Sequence, residues 1–186
     1  MNNAFSGKSA SVTELSEADW DSMYAVMLKA PILACKHAIP HMVERGGGSI
    51  INTASVHGVL AAQNNAPYNT FKAALINLTR QMAVDYGPFN IRVNALCPAR
   101  ILTEAKYEFL ASRPDEVRRQ KYTYPLGRPG TVSECAHAAL FLACNESSFV
   151  TGHALMVDGG LTAQLQDSVA KKNEEQVLAE LGLDQE

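Results

Sequence analysis

Three short apolar runs, separated by long stretches of helical periodicity, restrict this chain more than any other feature of its sequence. Residues 49–53, 91–96 and 154–157 are rich in Ile, Val and Leu and too short for buried helices, so each is predicted as a buried strand. Between them, apolar residues recur at helical spacing. From Trp20 to about Arg45 the stripe is Met23, Val26, Met27, Ala30, Leu33, Ala34, His37 and Ala38, with Pro31 and Pro40 expected to bend or divide it. A second helix is expected from about Ala66 to Gly87, stopped by Gly87-Pro88, and a third from Val132 to Cys144, with Ser133 as its start. Strands that alternate with helices call for crossover connections. The expectation is therefore an α/β fold with a parallel sheet.

Composition narrows the function classes. A chain of 186 residues suits one domain with a sizeable core. The net charge of −3, with dispersed basic residues, gives no footprint for nucleic acid or a membrane surface. No apolar run is long enough for a membrane span, and residues 1–13 do not read as a signal peptide. Cys35, Cys97, Cys135 and Cys144 lack Cys-x-x-Cys spacing and are read as reduced residues of a cytoplasmic protein. His37 and His41 share a helix face but have no evident third ligand, so no metal site is expected.

The residues with chemistry to offer cluster after the first strand. Tyr68 and Lys72 lie four apart, hence on one helix face, and Ser55 lies thirteen residues upstream of Tyr68 at the end of the strand run. A cation beside a phenol favours its anionic form, and a nearby hydroxyl can hold a carbonyl or alcohol oxygen. Alone, a Tyr-x-x-x-Lys pair is a weak signal, as consistent with a surface pair on a helix. Its surroundings strengthen it.

The run Gly48-Ser49-Ile50-Ile51-Asn52-Thr53-Ala54-Ser55, then Tyr68 and Lys72, then Ile91-Arg92-Val93-Asn94-Ala95-Leu96-Cys97-Pro98, resembles the short-chain dehydrogenase/reductase family in order and spacing. Pro125-Leu126-Gly127-Arg128-Pro129-Gly130 and Val157-Asp158-Gly159-Gly160 match two later signatures, and the likeness covers about residues 2–164. The resemblance implies a Rossmann-like doubly wound parallel sheet, present here as its last three strands with flanking helices. It implies hydride transfer between NAD or NADP and a small carbonyl or secondary alcohol, with Ser55, Tyr68 and Lys72 catalytic. Asn3, Ala4, Tyr68, Lys72, Pro98, Ala99, Ile101 and Thr103 fall at cofactor-contacting positions. Asn94 falls where the family buttresses the site, and a strand-end cap is the equal alternative. A homo-oligomer, dimer or tetramer, is implied through the helices at 20–45 and 66–87.

The sequence also departs from the family. Phe5 stands where Asn2-Asn3-Ala4 would be followed by Gly, Ala99 replaces the Gly of a Pro-Gly turn, and Met27 replaces the usual catalytic Asn. Methionine has no donor, so a proton relay through that side chain is not expected. No Gly-rich phosphate loop follows a strand, and the residue that separates NAD from NADP would lie about twenty positions beyond such a loop. The chain thus reads as residues 1–164 of a C-terminal family domain, with an edge strand at Ile50-Ile51 left bare, and a charged tail over 165–186. The variable segment 99–124 is expected to hold two short helices, with Tyr122 and Tyr124 packing or touching substrate. An alternative of another class stays open: a truncated, non-catalytic fragment that acts as a dimerisation or interaction module.

Overall fold

The computed structural model describes residues 1–165 and Ala179, so the expectation for the tail falls almost wholly outside the described residues. Helix α1 (Glu17–Tyr24) opens with Ser16, whose side chain accepts from the Asp19 N–H. A π-helical turn at Ala25–Lys29 leads without a break into α2 (Ala30–Glu44). The division expected near Pro31 takes the form of this π turn rather than a break, and only Pro40 leaves no mark on the helix. The widened turn precedes Pro31 and relieves the clash its ring would make with the carbonyl four residues earlier. Pro40 is carried within α2.

Gly46 and Gly47 then adopt φ of 82° and 142°, reversing the chain into β1 (Gly48–Thr53). Helix α3 (Ala66–Tyr86), strand β2 (Ile91–Pro98), the short β3 (Ile101–Leu102), α4 (Glu104–Ala111) and α5 (Pro114–Thr123) follow. The short β4 (Gly130–Thr131), α6 (Val132–Ala143) and β5 (Ala154–Val157) complete the described fold. Strands β1, β2 and β5 form a parallel sheet in the order β1-β2-β5, and β3 pairs with β4 separately. This is the α/β, doubly wound arrangement expected.

Register sorts the side chains onto two faces. Ile50 sits beside Val93, and these two with Ile91 pack against Cys35, Ile39, Met82 and Ala83 of α2 and α3. Ile51 and Leu96 face the other way, against Leu142 of α6. The strands read as continuous apolar runs because both faces are covered. β1 is an edge strand, as expected, though the Ile50 and Ile51 side chains are buried on the two faces of the sheet. At the C-terminal end of β1 the edge is taken by Asn2, which donates to the Ile51 carbonyl at 2.8 Å and accepts from the Thr53 N–H at 2.9 Å.

Polar residues lock the layers together. Asn52, fully buried, donates to Thr79 Oγ1 at 2.9 Å and accepts from Asn2 Nδ2 at 2.8 Å, tying β1 to α3 and to the N-terminus. Arg92 donates to the carbonyls of Leu142 and Cys144, both at 3.0 Å, and so satisfies the last turn of α6. The start of α6 is a capping box between Thr131 and Glu134 rather than Ser133. Asn94 is a cross-strut, not a strand-end cap: it donates to Val150 O at 2.8 Å and accepts from the His153 N–H at 3.1 Å, fixing the loop before β5.

Candidate active site

In an open parallel sheet, ligands sit beyond the carboxyl ends of the strands, where loops diverge to either side. Here those ends are Thr53 to Ser55 after β1 and Pro98 to Ala99 after β2. Two clefts open there. One, of about 550 Å³, is walled by Asn3, Thr53, Ser55, Tyr68, Lys72 and Pro98, with Cys135 and Ala139 contributed by α6. The other, of about 500 Å³, holds His57, Asn65, Arg100, Tyr124 and Leu161. Phe5, Ser55, Tyr68 and Ala99 belong to both, so they form the partition.

Local sequence explains the placement. Pro67 in the first turn of α3 presets the helix, and Tyr68 and Lys72 follow one turn apart. Ser55 is extended (φ −170°) and caps the short helical turn Val56–Gly58 by accepting from the His57 N–H at 3.2 Å. Gly58 lets that turn lie directly on α3: a Cβ there would stand 2.9 Å from the Lys72 carbonyl oxygen and 2.5 Å from Ile76 Cδ1. The close approach sets the distance between the serine strand-end and the tyrosine helix.

Each side chain has a distinct environment. Ser55 Oγ donates to the Pro98 carbonyl at 3.3 Å, a long bond that a better acceptor would displace. The Tyr68 ring is held edge-on by Phe5 at 5.6 Å and by His57 at 5.4 Å between centroids. His57 Nδ1 is in turn paired with Asn69 Oδ1 at 2.9 Å. Lys72 is 4% exposed; its Nζ donates to Thr53 O at 2.5 Å and stands 5.6 Å from the Tyr68 ring centroid. Burial lowers its pKa to about 8, against a smaller opposing influence from Cys97. Burial likewise pushes the Cys97 thiol up to about 11. Met27 is 1% exposed and packs with Met23 and Phe71 behind Tyr68, so it serves as apolar backing.

Of the residues singled out from sequence, Asn3, Ser55, Tyr68, Lys72, Pro98, Ala99 and Ile101 line the larger cleft together. Ala4 and Thr103 do not line either cleft; both are exposed, and Thr103 is the N-cap of α4. Tyr124 is buried and lines the smaller cleft, whereas Tyr122 lines neither. Sequence reasoning missed Thr53, Cys135 and Ala139. Thr53 had a signal, since it lies two positions before Ser55; the α6 residues had none.

A family model described as enoyl-(acyl carrier protein) reductase matches residues 1–162. An uncharacterized oxidoreductase of Schizosaccharomyces pombe is 40% identical over 178 residues, covering 93% of this chain and 69% of that protein. The 2-(S)-hydroxypropyl-CoM dehydrogenase 3 of Xanthobacter autotrophicus is 40% identical over 166 residues, covering 88% and 65%. The crystal structure of gluconate 5-dehydrogenase from Burkholderia cenocepacia with NADP and tartrate superimposes with a TM-score of 0.79 at 35% identity, over 88% of this chain and 64% of that one. This chain belongs to the short-chain dehydrogenase/reductase family. It spans about two thirds of the length of the relatives it matches, 65% in the case of the Xanthobacter enzyme.

Proposed function

We propose that this chain carries the reacting centre of an NAD(P)-dependent oxidoreductase that interconverts a small carbonyl compound and a secondary alcohol. One observation supports it above the others: Ser55 and Tyr68 stand in the wall shared by two clefts, so a dinucleotide on one side and a substrate on the other would meet at their hydroxyls. The larger cleft also offers groups that a dinucleotide could satisfy. Among the described residues the Thr53 hydroxyl is buried without a hydrogen-bond partner, and Lys72 is a buried cation.

Asn3, Tyr68, Lys72, Pro98, Ala99 and Ile101 would hold the dinucleotide, NAD or NADP; Ala4 and Thr103 flank them outside the cleft. When bound, the nicotinamide exchanges hydride with the substrate carbon. Tyr68 passes a proton between its phenol oxygen and the substrate oxygen. Ser55 Oγ leaves the Pro98 carbonyl and donates to that same oxygen, where negative charge develops. Lys72 keeps a positive charge one helical turn below the phenol and offers donors to hydroxyls in the cleft. Phe5 and His57 fix the plane of the Tyr68 ring.

Association of copies through α2 and α3 belongs to the same proposal. A cleft of about 790 Å³ runs between these helices, and Ile32, Val43 and Phe89 are 38%, 37% and 49% exposed along it. We place the protein in the cytoplasm, a reading supported by its four free cysteines. No helix among the described residues is long and apolar enough to cross a membrane.

The deciding experiment is fluorescence titration of the purified chain with NADH and NADPH, alongside sedimentation analysis. Micromolar binding, near −8 kcal/mol, is expected. A folded chain that binds neither would overturn the proposal and favour the non-catalytic interaction module.

A further inference from the structure

A second basic feature lies next to the smaller cleft and plays no part in the chemistry above. Between β3, α4 and α5 is a pocket of about 520 Å³. Arg100, Lys106, Arg113 and Arg119 line it, with Glu116 as the single carboxylate among the described residues. A local excess of three positive charges therefore sits in a concavity of a chain whose net charge is −3. The one carboxylate does not neutralise it. Glu116 Oε2 is 2.8 Å from Arg119 Nη2 and 3.5 Å from Arg100 Nη1, which leaves Lys106 and Arg113 outside that ion pair. Arg113 lies 5.0 Å above the Phe109 ring, so its plane is held while its edge stays available for donation. Arg100 is the link. It follows Ala99 directly, lines the smaller cleft beside Ser55 and Tyr68, and also lines the basic pocket. Phe109 and Leu110 supply apolar wall that lowers the local dielectric and strengthens any charge pairing there.

We propose that this pocket binds an anionic group of the substrate, so that the natural substrate is a carbonyl or secondary alcohol bearing a carboxylate, sulfonate or phosphate. The assignment rests on the oxidoreductase reading above. Arg100 then orients the substrate across the partition, with its reacting carbon at Ser55 and Tyr68 and its charge toward α4 and α5. Guanidinium groups suit this task because their planar forks match planar or tetrahedral oxyanions.

The test uses the full chain and a matched pair of probes, tartrate and dimethyl tartrate, titrated by calorimetry with and without saturating NADPH or NADH. Tartrate is expected to bind at least about tenfold more tightly than its uncharged ester, with a preference that shrinks as ionic strength rises. Arg100→Met and Lys106→Met should each remove most of that preference, leave the weak affinity for the ester, and leave dinucleotide binding unchanged. Equal affinity for the two probes, a preference indifferent to salt, or a preference intact in both variants would overturn the proposal. So would variants that weaken dinucleotide binding instead, since the pocket would then serve a cofactor phosphate. If the chain binds tartrate in this arginine-dependent way but binds neither dinucleotide, the oxidoreductase reading fails and the anion pocket stands.

Discussion

Helix α3 and the α4–α5 segment line neighbouring pockets and are built on opposite principles. In α3, Phe71, Leu75, Ile76, Met82 and Ala83 are buried, along with Lys72 and Thr79. In α4 and α5 the buried residues are Leu110 and Gln120, and the remaining surface is dominated by charge. A proton donor must be held to fractions of an ångström, and Tyr68, the donor proposed here, sits on a helix clamped by the sheet. Recognition tolerates looser support and benefits from it, because exposed positions can change without disturbing a core. On the function and the anion site proposed above, the protein separates the position of its chemistry from the choice of what it acts on.

Substitutions can sharpen or break this contrast. The largest effect is expected at Tyr68. Tyr68→Phe should lower kcat by about 10³-fold or more, with NADH affinity and thermal midpoint preserved, as steady-state kinetics and calorimetry would show. Retained turnover would remove α3 from the chemistry. Next in size is the clamp itself. Leu75 of α3 is 1% exposed, and Leu75→Ala should cost about 3 kcal/mol in urea unfolding.

Lys72 gives a pH test of the same helix. Its pKa of about 8 in the folded chain lies below the ordinary 10.5, so between those values the folded state binds fewer protons than the unfolded one. Wild-type stability measured against Lys72→Met should therefore be flat below pH 8. It should rise by up to about 3 kcal/mol as pH climbs to about 10.5. A difference that falls over that window would mean the ammonium is not buried as described.

A smaller effect is expected where Ser55 is tied to α3. Gly58→Ala must push the short turn off the Lys72 carbonyl, and kcat should drop about tenfold with a modest loss of stability. The smallest belongs to the other region. Arg119→Ala removes an ion pair whose partners are 63% and 30% exposed, and should change stability by about 0.5 kcal/mol or less. Were it to cost as much as Leu75→Ala, the two regions would not differ in kind.

The scale of these effects follows how the information is stored. The period of apolar residues marked β5 at Ala154–Val157 and α3 at Ala66–Tyr86 with little error, because burial of one face leaves its spacing in the chain. The boundaries that slipped are those where a cap or a bulge decides. Thr131 starts α6 because its side chain and that of Glu134 satisfy each other's backbone N–H groups. The π turn at Ala25–Lys29 accommodates Pro31 where sequence rules expected a bend or division without saying which.

By itself, the sequence determined the alternation of strands and helices, the parallel sheet that alternation requires, and the spacing of Ser55, Tyr68 and Lys72. All three follow from local periodicity and from residues close together along the chain. Only the tertiary structure decided that Cys135 and Ala139 wall the same cleft as Lys72, that Arg92 caps α6, and that Arg100 joins two pockets. Those contacts depend on strand register and on where each crossover helix lands. They are settled by packing between segments distant in sequence, and no local pattern encodes them.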